Sequence, residues 1–135
     1  MDNALRSLVR RRAGDVCEYC RLPQAASRFV QFHAEHIIAR QHGGPTEADN
    51  LALSCNLCNF HKGPNIAGID PESGQLVPLL HPRRDRWADH FAWEGTLLVG
   101  RTAVGRATVQ LLAMNEWQRI EVRQNLQALG EPFAG

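Results

Sequence analysis

The chain has 135 residues, of which 44% are hydrophobic and 21% are charged, and its formal net charge is +1. This composition fits one globular domain and excludes a disordered chain, and no apolar run approaches the ~20 residues that span a bilayer, so we expect no membrane association. The N-terminus lacks the apolar stretch of a signal peptide, which predicts a reducing cytoplasm where cysteines are more often metal ligands than disulfides.

Turn residues divide the first half of the chain into four predicted elements. Apolar side chains within 3–13 recur on one helical face. The segments within 28–40 and over 51–54 are rich in residues that favour strands. In chain order the elements are a helix over 3–13 that Asp2 or Asn3 can cap, two strands at these positions, and a short helix from about Asn59 to Gly63.

The second half predicts smaller elements that would support the first. A turn over 70–74 precedes a strand over 76–80, which Pro78 interrupts. The other elements are a hairpin that turns at Glu94-Gly95, a helix capped by Thr102, and a last helix opened by Asn115 with Gln118 and closed by Gly130. The predicted fold class is therefore α+β, in a single domain over 1–135 with a core at about 14–66 and a supporting extension at about 67–135.

The four cysteines form two pairs with a two-residue spacer, Cys17 with Cys20 and Cys55 with Cys58. Such a spacer lets both thiolates of a pair bind one ion, and two pairs complete the tetrahedral sulfur shell that Zn²⁺ accepts. A redox pair or buried free thiols are the competing interpretations. Two pairs are present, however, and neither lies at the strand-to-helix junction typical of redox motifs. We predict one zinc ion, which is structural because no position remains open for water.

A second pattern lies between the two cysteine pairs. Its parts, in order, are Glu35-His36-Ile37-Ile38, Gly43-Gly44, Asn50-Leu51 and Cys58-Asn59-Phe60-His61-Lys62-Gly63. Together with the first cysteine pair, this order resembles the HNH endonucleases. The resemblance implies a ββα-metal core with two zinc knuckles, and divalent-metal-dependent cleavage of DNA that leaves a 5′-phosphate and a 3′-hydroxyl.

The resemblance also implies roles for individual residues. His36 would be the general base, since imidazole titrates near neutral pH. Glu35 and Asn59 would bind the catalytic cation. Asn50 would hydrogen-bond backbone or His36 and so hold the loop between the strands in register. Lys62 would meet a phosphate of the substrate as a point charge.

Three further residues are less defined. Asn59 stands where the family often carries His, and an amide oxygen is a harder ligand, which favours Mg²⁺ or Mn²⁺. His33 shares a strand face with Glu35, so it could assist the metal or pack beside a zinc knuckle. His61 would turn away from the metal and serve as a phosphate contact or a surface residue.

Three functions fit the sequence: a nuclease, a zinc-stabilised nucleic-acid-binding module that does not cut, and a zinc-ribbon scaffold for protein partners. The set of Glu35, His36, Asn50 and Asn59 favours the nuclease, because binding alone does not require them together. DNA is the expected partner, with RNA left open, and cutting both strands would need a homodimer or two visits. We predict solvated faces for the Arg-rich segments 10–12 and 83–86, and core positions for the aromatic side chains Trp87, Phe91, Trp93 and Trp117.

Overall fold

The computed structural model describes residues 1–131, and the predicted α+β class is observed there. The strands form three separate antiparallel pairs, β1–β2, β3–β4 and β5–β6. In chain order the elements are α1 (Asn3–Ala13), β1 (His33–His36), β2 (Leu51–Ser54), α2 (Asn56–Lys62), β3 (Ala67–Ile69), β4 (Leu76–Pro78), α3 (Trp87–His90), β5 (Phe91–Glu94), β6 (Leu97–Gly100), α4 (Ala103–Leu111) and α5 (Trp117–Ala128).

The β1–β2 hairpin and α2 form the centre of the first half. Strand β2 is buried at all four positions, and Glu35 of β1 lies opposite Ala52 of β2. The first strand is shorter than predicted because, just beyond each of its ends, a backbone amide donates to a side chain and not to the neighbouring strand. Gln24 Oε1 accepts from the amide of Phe32, and Asn50 Oδ1 accepts from the amide of Ile38. The regular ladder is therefore confined to four residues.

Local chemistry explains where most helices begin. Asp2 caps α1 and Thr102 caps α4, as the sequence predicts, each through a side-chain oxygen that accepts a backbone N–H. Helix α2 begins earlier than predicted because Cys55 Sγ caps it. The predicted cap at Asn115 is wrong: its amide pairs with both backbone groups of Leu98, and Glu116 precedes α5 without a side-chain cap.

The second half packs onto the first through one continuous core. This core includes Val9, Tyr19 and Leu53 from the first half and Phe91, Leu98, Leu112 and Met114 from the second. Strand β3 and helix α3 were not predicted, whereas the hairpin at Glu94-Gly95 is confirmed. The prediction that Trp117 lies in the core is wrong, because 68% of its surface is exposed. Within residues 1–131, no helix combines the length and apolar character that crossing a membrane requires.

Candidate metal centre and active site

The four cysteines converge at the interface of the two halves. Their Sγ atoms all lie within 4.8 Å of one another, and the four residues are buried. Cys20 Sγ and Cys55 Sγ, from different pairs, are 3.7 Å apart. Tetrahedral zinc with Zn–S bonds of about 2.3 Å would separate its sulfurs by about 3.8 Å. The residues therefore fit a four-sulfur zinc site, and the cluster could hold such an ion.

Side chains from the second half contact both cysteine pairs. The Nε1–H of Trp87 donates to the carbonyl of Tyr19, between the first two cysteines, at 2.8 Å. Arg119 of α5 donates from Nη2 to Cys58 Sγ at 2.9 Å. Neither contact was predicted, and no local pattern around Trp87 or Arg119 indicates it. The cysteine cluster is thus enclosed by residues far from it in sequence.

His36 lies at the end of β1 with its ring half-buried. Its Nε2 is 2.8 Å from Thr46 Oγ1 in the loop between the two strands. Burial lowers the pKa of His36 below its ordinary value, and the positive charges of Arg40, the N-terminus and Lys62 act in the same direction. The imidazole is therefore neutral at neutral pH, which is the state in which it can accept a proton.

Glu35, the neighbour of His36 on β1, is only 8% exposed. Burial raises the pKa of Glu35 to about 7, although the Lys62 ammonium and the Tyr19 hydroxyl partly oppose this. The Tyr19 hydroxyl is close enough to act on this pKa, yet it forms no hydrogen bond of ordinary geometry with Glu35 Oε1. Among residues 1–131, Glu35 Oε1 is buried and has no hydrogen-bond partner. A buried oxygen of this kind needs a proton or a cation to stabilise it.

Lys62 lies at the end of α2, inside the protein. Its side chain is almost fully buried, and Nζ donates to the carbonyl of Ile37 at 2.8 Å. This hydrogen bond ties α2 to the residue that follows His36. The placement differs from the predicted phosphate contact, because a phosphate would have to enter the interior to reach the ammonium. Lys62 is instead close enough to affect the pKa of both Glu35 and His36.

Asn50 closes the loop between β1 and β2. Its Oδ1 accepts from the amide of Ile38 at 2.9 Å, and its Nδ2 donates to the carbonyls of Ile38 and Pro45 at 3.0 and 2.9 Å. Of the two predicted alternatives, backbone or His36, Asn50 therefore hydrogen-bonds to the backbone. Gly44 packs against these hydrogen-bonded groups so closely that a Cβ would lie 1.8 Å from the Ile38 oxygen. Gly43 is required for another reason, its φ of +86°.

The remaining predicted site residues are less deeply placed. Asn59 is half-buried on α2, one turn before Gly63. His33 is exposed at the start of β1, opposite Ser54, which leaves both of its predicted roles open. His61 Nε2 lies 3.9 Å from Glu116 Oε2, at the surface where α2 meets the start of α5.

Several side chains of the Arg-rich segments form hydrogen bonds within the protein, in contrast to the predicted solvated faces. Arg10 and Arg12 of α1 donate to the backbone carbonyls of Phe32 and Leu51. Arg83 pairs with the buried carboxylate of Glu18, whose other oxygen accepts from the amide of Leu53. Their neighbours Arg11, Arg84 and Arg86 are exposed. The structure therefore uses part of each segment to join elements.

Comparison with known proteins is consistent with this geometry. A family model described as HNH endonuclease matches residues 17–65. The match begins at the first ligand-type cysteine and includes the β1–β2 hairpin and α2. No curated protein and no solved structure gives a significant match to the chain. The similarity to HNH endonucleases therefore covers the part of the chain that carries the four cysteines, Glu35 and His36.

Proposed function

We propose that the chain is a divalent-metal-dependent endonuclease that hydrolyses DNA phosphodiester bonds. One observation carries the proposal. On adjacent residues of β1, the imidazole of His36, held by Thr46, accompanies the carboxyl group of Glu35, whose buried Oε1 has no hydrogen-bond partner in the described chain. A purely structural hairpin gains nothing from an unsatisfied buried oxygen, whereas a hydrolytic metal site uses both groups.

In this proposal His36 is the general base that removes a proton from the attacking water. The Thr46 hydroxyl holds one ring nitrogen at 2.8 Å and so limits rotation of the ring. Asn50 acts indirectly, because its three hydrogen bonds fix the backbone that follows His36. Lys62 also acts indirectly, through the Ile37 carbonyl. Both are positioning residues of the proposed site.

Glu35 and Asn59 would hold the catalytic cation. Their carboxylate and amide oxygens are hard donors, which suit Mg²⁺ or Mn²⁺, and the unpartnered Glu35 Oε1 fits a ligand role. A cation held there would stabilise charge on the phosphoryl group and on the leaving 3′ oxygen. The cysteines would hold Zn²⁺, with a structural role because four sulfurs fill its tetrahedral shell.

We also propose that residues 1–135 form one domain in a reducing cytoplasm, with 67–135 supporting a core at 14–66. The continuous core and the hydrogen bonds from Trp87 to Tyr19 and from Arg119 to Cys58 support the single domain. Residues 132–135 lie outside the described part of the chain. A homodimer would let two copies cut the two strands of a duplex.

The alternative function is a zinc-stabilised module that binds nucleic acid without cutting it. It is favoured by one observation, the half-buried position of Asn59 in place of the family's frequent His. Both functions require nucleic-acid binding, so cleavage separates them.

The test incubates the pure protein with plasmid DNA, single-stranded DNA and RNA under Mg²⁺, Mn²⁺ or neither. We expect cleavage of DNA that depends on the added metal. His36→Ala should lower the rate by about 10²–10⁴, the usual worth of a general base, while keeping the fold and the affinity for the added metal. Glu35→Ala and Asn59→Ala should instead recover partly as the metal concentration rises. Binding without cleavage under every condition would favour the alternative.

A further inference from the structure

Arg119 is a buried cation in direct contact with the cysteine cluster. Only 6% of its surface is exposed. Its Nη2 donates to Cys58 Sγ at 2.9 Å and lies 3.8 Å from Cys55 Sγ. Its Nη1 donates to the carbonyl of Leu112 at 2.6 Å. The guanidinium therefore joins the second cysteine pair to the segment between α4 and α5.

The charge of the cluster explains why a guanidinium is placed there. Four thiolates and one Zn²⁺ carry a net charge of −2, and these cysteines are buried. A buried charge is costly unless opposite charge and hydrogen bonds compensate it. Among residues 1–131, Arg119 is the one side chain from the second half that donates to a cysteine sulfur. It also lies well beyond residues 17–65, which the family model matches.

We propose that Arg119 is a positioning residue of the zinc site, and that its contact with Cys58 makes α5 part of that site by slowing the loss of zinc. The inference rests on the proposed zinc ion. Hydrogen bonds from outside a metal's ligands commonly change metal affinity by about 10–100-fold. The guanidinium withdraws negative charge from the sulfur, so it lowers the reactivity of the thiolate toward protons and electrophiles. Loss of Arg119 should therefore weaken zinc retention even where the fold persists.

Arg123 provides a matched control one helical turn further along α5. It is 3% exposed and donates to the carbonyls of Thr96 at 3.0 Å and Met114 at 2.5 Å. Its guanidinium also lies over the ring of Trp93, at 5.4 Å from the centroid. Arg119 and Arg123 are thus equally buried and both bind backbone, but only Arg119 donates to sulfur. Truncation of either should destabilise the fold and removes a positive charge that acts on the cysteines, since the charge of Arg123 also interacts with Cys20, Cys55 and Cys58. Only truncation of Arg119 also removes a hydrogen bond to sulfur.

The experiment measures zinc transfer from the folded, full-length protein to a chromophoric chelator. The variants are Arg119→Gln, Arg119→Lys and Arg123→Gln, each with its free energy of unfolding determined by urea titration. We expect Arg119→Gln to transfer zinc about 10-fold faster or more. Arg119→Lys keeps a charge that can donate to one sulfur, so it should lie between Arg119→Gln and the parent. Arg123→Gln should accelerate zinc transfer less than Arg119→Gln, despite a comparable loss of stability, because it removes a nearby charge and no hydrogen bond to sulfur.

A spectroscopic readout separates the sulfur contact from a general loss of stability. Replacement of zinc by Co²⁺ gives a sulfur-to-metal charge-transfer band whose energy depends on the electron density of the thiolates. We expect the band to move to lower energy in Arg119→Gln, because a sulfur without its hydrogen bond is easier to oxidise. The band should move less in Arg123→Gln, which removes a nearby charge but no hydrogen bond to sulfur. If Arg119→Gln does not fold, Arg119→Lys carries the same comparison.

The outcomes distinguish failure of the proposed zinc site from failure of the proposed role of Arg119. A folded parent without zinc by elemental analysis would refute the zinc site itself. A parent that holds one zinc, with equal transfer rates and equal bands in Arg119→Gln and Arg123→Gln, would overturn the role of Arg119 and leave the zinc site intact. Faster transfer together with a larger band shift in Arg119→Gln than in Arg123→Gln would establish the inference.

Discussion

Replacement of Lys62 by Met tests the placement of the motif's lysine most directly. Lys62 is almost fully buried, and its Nζ donates to the carbonyl of Ile37 at 2.8 Å. Met has a similar length and no charge, so Lys62→Met removes the hydrogen bond and leaves little cavity. A hydrogen bond from a charged group contributes about 1.5–3 kcal/mol, and we expect a loss of this size when Glu35 is protonated.

The loss should depend on pH because Lys62 faces Glu35. Burial raises the pKa of Glu35 to about 7 from its ordinary 4.5, so the folded protein holds this proton more tightly than the unfolded chain. The contribution of Glu35 to stability is therefore full below pH 4.5 and is lost as the pH rises to about 7. Lys62→Met removes the cation that favours the ionised form of Glu35, so this carboxyl group keeps its proton to a higher pH, and at pH 8 the change adds at most about 1.4 kcal/mol to the loss.

The assay is urea unfolding of parent and Lys62→Met at pH 6 and pH 8, with zinc present and without Mg²⁺ or Mn²⁺. We expect a destabilisation at both values that is larger at pH 8. The salt dependence of DNA binding is measured alongside. A lost phosphate contact would lower its slope by about one, whereas a buried lysine should leave the slope unchanged. Unchanged stability together with a lower slope would refute the buried role and restore the phosphate contact.

Three further predictions follow from single contacts. Gly44→Ala should destabilise the fold more than Gly43→Ala in urea unfolding. A Cβ at Gly44 would lie 1.8 Å from a backbone oxygen, whereas a Cβ at Gly43 has open space and only the positive φ opposes it. Equal losses in the two variants would contradict this. The Arg106 guanidinium holds the pKa of Asp70 well below its ordinary 3.8, so this carboxylate stabilises the fold above that pH and loses its effect as the pH falls. The difference in melting temperature between parent and Asp70→Asn should therefore shrink in acid, and a constant difference would count against the pair. Cys55→Ser should lower both the zinc content and the melting temperature, because the free energy of zinc binding at such a site stabilises the fold. Full zinc content by elemental analysis would exclude Cys55 as a ligand.

Features that depend on short stretches of chain could be predicted from the amino-acid sequence. The caps at Asp2 and Thr102, strand β2 and the hairpin turn at Glu94-Gly95 occur as predicted. The caps and the hairpin turn depend on contacts between residues a few positions apart, and β2 follows from a run of residues that favour strands. The paired cysteines and the HNH motif also belong to this class, since a two-residue spacer already restricts where both sulfurs can point.

The surroundings of these features depend on how whole elements pack. The motif predicts that Lys62 meets a phosphate, yet the fold turns its side chain inward to the Ile37 carbonyl. Arg119 has no signal in its helix, and it reaches Cys58 only because α5 packs on the second cysteine pair. Trp117, the first residue of α5, is 68% exposed in the described structure, so its aromatic character alone did not place it in the core. Such contacts join residues that are 25 or 61 positions apart, and their partners are set by how whole elements pack, which no local pattern encodes.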